Sequence, residues 1–329
     1  MVMATGIVSI AVYMAGIPIL GSVLMWLNVG LYCVFWVLLI GRAAMAPGSL
    51  LQDLMNFRVA PGFFTLVAGT SVLARQLLII DAQSQIATAM FWVALPLWAL
   101  LIYVIFTAFT VKETKPTLAE GIHGGWLLSV VATQAVAVLT ALLARQSHNQ
   151  PLMLFVSLVL WLCGGMLYIW IISLIFYRYT FFRFAPSDLM PPYWINMGAM
   201  AISTLAGATL IQSASLAPFL VEMLPFLKGF TMFFWATATW WIPMLLILGF
   251  WRHVCKKFAL KYDPLYWGAV FPLGMYSVST YQLFHALQIS FLNWLPRVFA
   301  YVSLVAWIVT FIGFLTQLSH LFRAEAEAV

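Results

Sequence analysis

The side chains of this sequence that could act on a solute are mostly hydroxyls, and several recur at helical spacing. Thr5 and Ser9 are four residues apart, as are Ser129 and Thr133. Residues four apart lie on one face of a helix, so each pair would present two hydroxyls to the same neighbour. Comparable hydroxyls stand in three further apolar segments, at Thr70, Ser71, Ser203, Thr204, Ser277 and Thr280. Such faces either line a narrow polar path or join helices to one another, because both uses are common in membranes.

Two basic side chains inside apolar segments are candidate anion contacts, Arg75 and His285. Arg75 lies about 20 Å into its segment at 1.5 Å per residue. An arginine inside a membrane helix costs about 2.5–3.5 kcal/mol on insertion scales and is often functional, and its planar fork could hold a carboxylate. Two alternatives remain open: the side chain extends towards the membrane surface, or it pairs with Asp81. No carboxylate lies deep in these segments, which argues against a path for cations.

The sequence contains no familiar motif for metal, nucleotide or acyl chemistry. It lacks H-E-x-x-H, a Walker loop, G-x-S-x-G and a dinucleotide fingerprint. Cys33, Cys163 and Cys255 are scattered and form neither a disulfide framework nor a set with metal-ligand spacing. We therefore expect no cofactor and no metal, and a membrane-embedded enzyme or sensor is the least favoured function.

The composition determines the environment of the segments that carry these residues. Hydrophobic residues make up 64% of the 329 residues, charged residues 7%, and the mean hydropathy is +1.03. Soluble domains carry roughly 25% charged residues. The chain is therefore an integral membrane protein, and its long apolar runs favour α-helices over a β-barrel.

Charges, prolines and glycines divide the chain into ten apolar runs. Most have about 20 residues or more, enough for a helix to cross roughly 30 Å of hydrocarbon. The first run lacks a basic n-region and an A-x-A-like site, so we interpret it as a helix and not as a signal peptide. The runs cover 1–17, 21–41, 61–80, 84–110, 124–144, 151–177, 192–213, 226–251, 264–289 and 294–320.

Odd-numbered and even-numbered runs differ in a repeating way. Four odd runs start with Pro or Gly, continue with an aromatic residue and then with small and hydroxyl residues; the aromatics are Phe64, Trp126, Trp194 and Trp267. The even runs are bulky and apolar nearly all round, as lipid-facing helices are. We predict five helical hairpins in one domain over 1–329, arranged around an axis with the odd helices inside.

Three stretches carry a resemblance to a known family: "MATGIVS" at 3–9, "DL…APGFFTLVAGTSVLA" between 53 and 74, and "YWGAVFPLGM" at 266–275. They resemble the tellurite-resistance and C4-dicarboxylate transporter family, whose relatives include the plant slow-type anion channels and fungal malate and sulfite transporters. The resemblance implies an all-α membrane protein of ten helices in five hairpins with quasi-fivefold symmetry. It also implies a central pore lined by the odd helices, and a homotrimer.

The resemblance also implies a pore gate. Channel members of the family close the pore with a phenylalanine on the ninth helix, which corresponds by motif to Phe271 in "VFPLG". Pro272 has no N–H and its ring clashes with the carbonyl of Gly268, so the helix should bend there and turn the neighbouring ring towards the axis. The alternative is that Phe271 is ordinary core. Among the odd runs only the ninth has a proline in its interior, so we expect a less regular pore than in the channels.

These features together predict the transport of small anions. The substrates would be inorganic anions, oxyanions or C4-dicarboxylates, moving in a channel-like way. The alternative is a proton-coupled carrier for malate or another dicarboxylate, or for sulfite or tellurite efflux, although a titratable group for coupling is not evident. The expected partners are a small anion, the lipid bilayer and further copies of the chain, and no nucleic acid.

The basic residues predict the orientation. Eleven of the 15 Lys and Arg residues lie in the loops after even runs or in the C-terminal tail. Cytoplasmic loops carry the excess of Lys and Arg, so both termini should be cytoplasmic, in the plasma (inner) membrane. The net charge of +6 reflects mainly this bias.

Overall fold

The chain folds into a bundle of helices. The computed structural model describes residues 1–327 and has no β-strand among them. Within that range ten longer helices are numbered α1 to α10 here. They are Val2–Met14, Pro18–Met45, Phe64–Ile80, Ser84–Val111, Leu128–Ala144, Gln150–Phe181, Ile195–Gln212, Leu224–Phe250, Trp267–Leu287 and Trp294–Glu327.

Eight of these helices are long and apolar enough to cross a membrane, which confirms an all-helical membrane protein. Of the two others, α1 has 13 residues and is too short to span alone. Helix α9 has 21 residues but is less apolar than the eight. Both helices are odd-numbered. The short α1 and the less apolar α9 therefore belong to the set of helices that pack inside the protein.

The five odd-numbered helices pack against one another in a closed cycle. α1 contacts α3, α3 contacts α5, α5 contacts α7, α7 contacts α9, and α9 contacts α1. Each of them also packs against the even-numbered helix that follows it. In α5 and α7, 94% of the most apolar stretch is buried, against 17% in α2. Large apolar side chains of the even helices therefore remain exposed on the outside, Trp92 at 64% among them.

Four of the odd helices begin with a 3-10 turn, at Ala60–Phe63, Gly124–Leu127, Pro191–Trp194 and Pro264–Tyr266. Three of these turns have a proline near their first position, where the missing N–H costs nothing. Successive turns contact one another, so these helices begin at one end of the bundle, called the starting end below.

Helix α9 carries the one interior proline found in the described odd helices, Pro272. A Cβ added to Gly198 of α7 would lie 2.7 Å from Cγ of Pro272, so the glycine allows the two helices to approach closely at Pro272. On Gly268 an added Cβ would come no closer than 3.5 Å to Cα of Pro192, an ordinary contact. The close packing at Pro272 therefore requires a glycine at position 198 and not at position 268.

Candidate functional site

A small cavity lies between four of the odd helices. It is lined by Ser71, Val72, Arg75, Ala135, Val138, Ile202, Leu205 and Met275 and has a volume of about 10 Å³. These residues come from α3, α5, α7 and α9, so the cavity lies inside the cycle of odd helices. We call it the axial cavity. It contains no acidic residue among the described residues that line it, and most of its wall is apolar.

Arg75 brings an uncompensated positive charge to the axial cavity. Its side chain is only 4% exposed, and its Nε and Nη1 atoms have no hydrogen-bond partner among the described residues. The two ion pairs found in the described part of the chain do not include it, so it does not pair with Asp81. Both alternatives considered for this residue, extension to the surface and pairing with Asp81, are therefore absent from the structure.

Ser71 lies one turn before Arg75 on the same face of α3 and lines the same cavity. Its buried Oγ also lacks a hydrogen-bond partner. An unpaired buried hydroxyl or charge destabilises the folded protein, because no hydrogen bond or opposite charge compensates for its lost hydration. Three unsatisfied atoms in one apolar cavity are therefore a candidate binding site for an anion.

Phe271 is completely buried and lies one turn before Met275 on α9. Residues four apart share a helix face, and Met275 lines the axial cavity, so Phe271 is on the axial face nearer the starting end. Pro272 follows it directly. The ring that the sequence singled out thus shares a helix face with one residue of the axial cavity.

Four predicted pore hydroxyls bond to aromatic side chains on even helices. Thr5 accepts from Nε1 of Trp307 at 3.0 Å, and Thr133 accepts from Nε1 of Trp98 at 2.8 Å. Thr280 accepts from Nε1 of Trp235 at 3.0 Å. The fourth pair joins the hydroxyls of Thr70 and Tyr32 at 2.9 Å. These contacts favour the second role considered for the hydroxyls, which is to join helices.

A fifth contact completes a cyclic pattern. Nε1 of Trp161 on α6 donates to the main-chain carbonyl of Ser203 on α7 at 2.9 Å. Each of the five aromatic residues lies on an even helix, and each bonds to the next odd helix in the cycle, from α2 to α3 round to α10 and α1. We call these contacts the aromatic belt. The even-run aromatics were visible in the sequence, but nothing there indicated what they would bond.

Five of the six remaining predicted hydroxyls have other partners. Ser9 donates to the carbonyl of Gly21 on α2 at 2.6 Å, and Ser277 donates to the carbonyl of Pro296 on α10 at 2.7 Å. The hydroxyls of Ser129, Ser203 and Thr204 donate to carbonyls of the preceding turn. Of the ten hydroxyl residues, Ser71 is the one whose side chain lines the axial cavity without a hydrogen-bond partner.

The second candidate anion contact, His285, lies elsewhere. It is exposed and lines a cavity of about 510 Å³ between α1, α9 and the start of α10. Ser277 and Arg297 line the same cavity. Ten residues separate His285 from Met275, about 15 Å along α9. The structure therefore does not bring His285 and Arg75 into one site.

A third cavity, of about 370 Å³, opens at the starting end and is lined by charges of both signs. Arg178 is buried there and is well paired: Nη1 donates to the Ile122 carbonyl at 3.3 Å and to the Tyr193 hydroxyl, and Nη2 is 3.7 Å from Asp188. Sequence reasoning treated Arg178 only as a topology signal. Its pairing partners come from two separate segments, the connections before α5 and before α7, which the sequence could not indicate.

His123 lines the cavity at the starting end and precedes the turn at Gly124–Leu127. Its Nδ1 accepts a hydrogen bond from the Gly125 N–H at 3.1 Å, so the ring is neutral. The pKa of His123 is lowered from 6.5 to about 4, mainly by burial; backbone groups of Phe57 and Arg58 oppose the shift, and the charges of Arg178 and Arg58 add to it. The ring therefore serves as an uncharged cap at neutral pH.

The sequence of this chain is similar to a known protein family and to several proteins. A family model described as SLAC1, voltage-dependent anion channel, matches residues 1–315. Two proteins of Methanocaldococcus jannaschii named uncharacterized transporters are 24% and 25% identical over 318 and 320 residues, covering 94% of this chain and 89% and 91% of theirs. An uncharacterized membrane protein of Mycobacterium tuberculosis is 37% identical over 153 residues, which are 46% of this chain and 77% of that protein.

Proposed function

Because the chain belongs to the SLAC1 voltage-dependent anion channel family, we propose that it conducts small anions across the membrane along the axis of its five odd helices. The whole chain would form one pore, built from five hairpins related by quasi-fivefold symmetry. The closed cycle of odd helices and the repeated contacts of the aromatic belt support this arrangement. Each belt contact joins one hairpin to the next.

The observation that carries the proposal is the unpaired guanidinium of Arg75 in the axial cavity. A positive charge without an acidic neighbour attracts anions and repels cations. Acidic rings or a filter of carbonyls would be expected of a cation pathway, and the axial cavity has no acidic side chain among its described lining residues. Apart from Arg75 and Ser71, the wall is apolar.

The gate of the proposed pore is the ring of Phe271. It lies on the axial face of α9 directly before Pro272, and its burial is complete. In the corresponding positions of α3, α5 and α7 stand the smaller residues Ala68, Val130 and Gly198. One ring among small residues would close a narrow axis by its volume.

The deciding experiment records currents from purified protein in planar bilayers. Replacing the ring in Phe271→Ala should raise the anion conductance per folded protein about tenfold or more if the ring adds roughly 1.4 kcal/mol to the barrier. Phe271→Leu should give an intermediate value, and cation flux should not change. Phe155→Ala is the matched control, because Phe155 is 53% exposed on the outside of α6.

Two results would contradict the proposed mechanism. Unchanged conductance in well-folded Phe271→Ala would reject the gate. If Phe271 is ordinary core, the substitution should instead cost about 3–5 kcal/mol of stability, by analogy with soluble proteins. Electrical silence together with uptake of a radiolabelled anion would replace the channel by the coupled carrier.

We further propose that the protein forms homotrimers in the plasma (inner) membrane with both termini in the cytoplasm. The exposed apolar faces of the even helices offer contact area for both lipid and neighbouring subunits. Native mass measurement in mild detergent should give three chains, and only monomers or dimers would reject the trimer. In a cysteine-free background, a cysteine at Lys257 should resist an impermeant reagent applied to intact cells, and labelling from outside would reverse the orientation.

A further inference from the structure

The axial cavity raises a question of charge balance. A guanidinium cannot lose its proton under ordinary conditions, so Arg75 is charged wherever it lies. It is 96% buried, since only 4% of it is exposed, and no carboxylate neutralises it within the described residues. A buried charge is tolerated when another charge pairs with it, and removing one partner of such a pair is strongly destabilising. Since the chain does not supply the partner here, the solution must.

We propose that Arg75 and Ser71 hold one small monovalent anion as a resident counter-ion in the closed protein. This inference rests on the proposed anion pathway and assigns its central binding site and its ligand class. The donors are the N–H groups of Nε and Nη1 of Arg75 and the hydroxyl of Ser71, all buried and without protein partners. They lie one helical turn apart on α3, close enough to address a single ion.

The size of the cavity selects the ligand. A volume of about 10 Å³ holds roughly one water molecule. A monatomic anion such as chloride fits after a small adjustment, which the flexible side chain of Met275 can supply. A C4-dicarboxylate, with four carbons and two charged ends, does not fit in this state. The apolar wall of Val72, Val138 and Leu205 also offers nothing to satisfy a second carboxylate.

The resident ion has a measurable consequence. A ligand that binds the folded protein stabilises it in proportion to the logarithm of its concentration once the site is filled. The thermal unfolding midpoint of the purified protein in detergent should therefore rise with chloride concentration when gluconate replaces chloride at constant ionic strength. Succinate at the same ionic strength should give no comparable rise.

Variants locate the effect. Arg75→Gln should lose the chloride dependence, and in gluconate its midpoint should equal or exceed that of the wild type, because the unpaired charge is gone. Arg75→Lys keeps the charge and should retain a chloride dependence. Arg183→Gln, at an exposed position after α6, is the matched control and should behave as the wild type does.

Each outcome decides the inference. A wild-type midpoint that does not respond to chloride would overturn it without reference to any variant, and so would an undiminished response in Arg75→Gln. Equal stabilisation by succinate would overturn the ligand class. If Arg75→Gln does not fold in gluconate or chloride, Ser71→Ala, which removes the hydroxyl donor and keeps the charge, should weaken the chloride response, and an unchanged response would overturn the site. Because binding is measured without current, a protein that binds chloride but conducts nothing would reject the proposed function and leave the site intact.

Discussion

Two buried arginines in different regions of this molecule have opposite surroundings. At the starting end, Arg178 donates to a carbonyl and a tyrosine hydroxyl, and Asp188 lies 3.7 Å away. In the axial cavity, Arg75 has two nitrogen atoms without partners and a largely apolar wall. Burial of a charged residue therefore does not reveal its role. The partners of the residue distinguish the two roles. Arg178 holds segments of the chain together, whereas the charge of Arg75 is available to a solute.

The same contrast applies to the hydroxyls of the odd helices. Those that face the even helices are hydrogen-bonded in the aromatic belt, while Ser71 faces the axis unsatisfied. Polar groups between helices add specificity to helix packing. Polar groups without partners on an axis indicate a place where water or an ion completes the structure.

The largest effect expected on stability comes from breaking the paired arginine. Arg178→Gln leaves the Ile122 carbonyl and the Tyr193 hydroxyl without their donor and Asp188 without its counter-charge, so the free energy of unfolding should fall by about 2–3 kcal/mol. Chemical denaturation in detergent measures this. In gluconate, Arg75→Gln should show no such loss. Similar losses in the two variants would remove the distinction between the arginines.

A second change would convert the unpaired arginine into a paired one. Ala135 is buried and lines the axial cavity, so Ala135→Asp would place a carboxylate near Arg75. The fixed carboxylate should displace the mobile anion and lower anion conductance about tenfold, which corresponds to roughly 1.4 kcal/mol. Ala135→Asn is the neutral control of nearly equal size. Equal conductance in the two variants would separate Arg75 from the conducting path.

Acid should affect the starting end through His123. Its pKa of about 4 in the folded protein lies below 6.5, so between these values the unfolded chain binds more protons and stability falls as the pH falls. The loss per pH unit is at most about 1.4 kcal/mol. Unfolding measured from pH 6.5 to 5 should show this slope in the wild type, whereas His123→Gln should flatten it. Arg58, Arg178, Glu120 and Asp188 line the same cavity, but a slope that persists in the variant would exclude His123 as its source.

The smallest expected effect concerns the aromatic belt. Trp98→Phe removes the N–H that Thr133 accepts, while the Thr133 hydroxyl keeps its bond to the Ser129 carbonyl. Hydrogen bonds between membrane helices average about 0.6 kcal/mol in double-mutant cycles. A cycle of Trp98→Phe with Thr133→Val should give a coupling of this size, with conductance unchanged. A large change in conductance would place this hydroxyl on the path after all.

Much of the fold was predictable from residue type and order. The ten runs correspond to ten helices, with ends shifted by a few residues: the run 151–177 became Gln150–Phe181, and 1–17 became Val2–Met14. Run lengths and bulky even segments suffice for this, because lipid requires every backbone group to bond within the helix. The 3-10 turns were not predicted, since the Pro and Gly that mark them also mark ordinary helix starts.

The sequence by itself determined that the chain is a helical membrane protein, where its helices run and which residues are unusual in lipid, because composition and periodicity are local properties. The tertiary structure decided which way each side chain faces. Thr133 and Ser71 read alike as hydroxyls in odd helices, yet one bonds to Trp98 and the other stands unpaired beside Arg75. The pairing of Arg178 and the isolation of Arg75 depend on segments far apart in the chain. Helix rotation and the choice of neighbours settle such contacts, and both follow from the packing of the whole bundle.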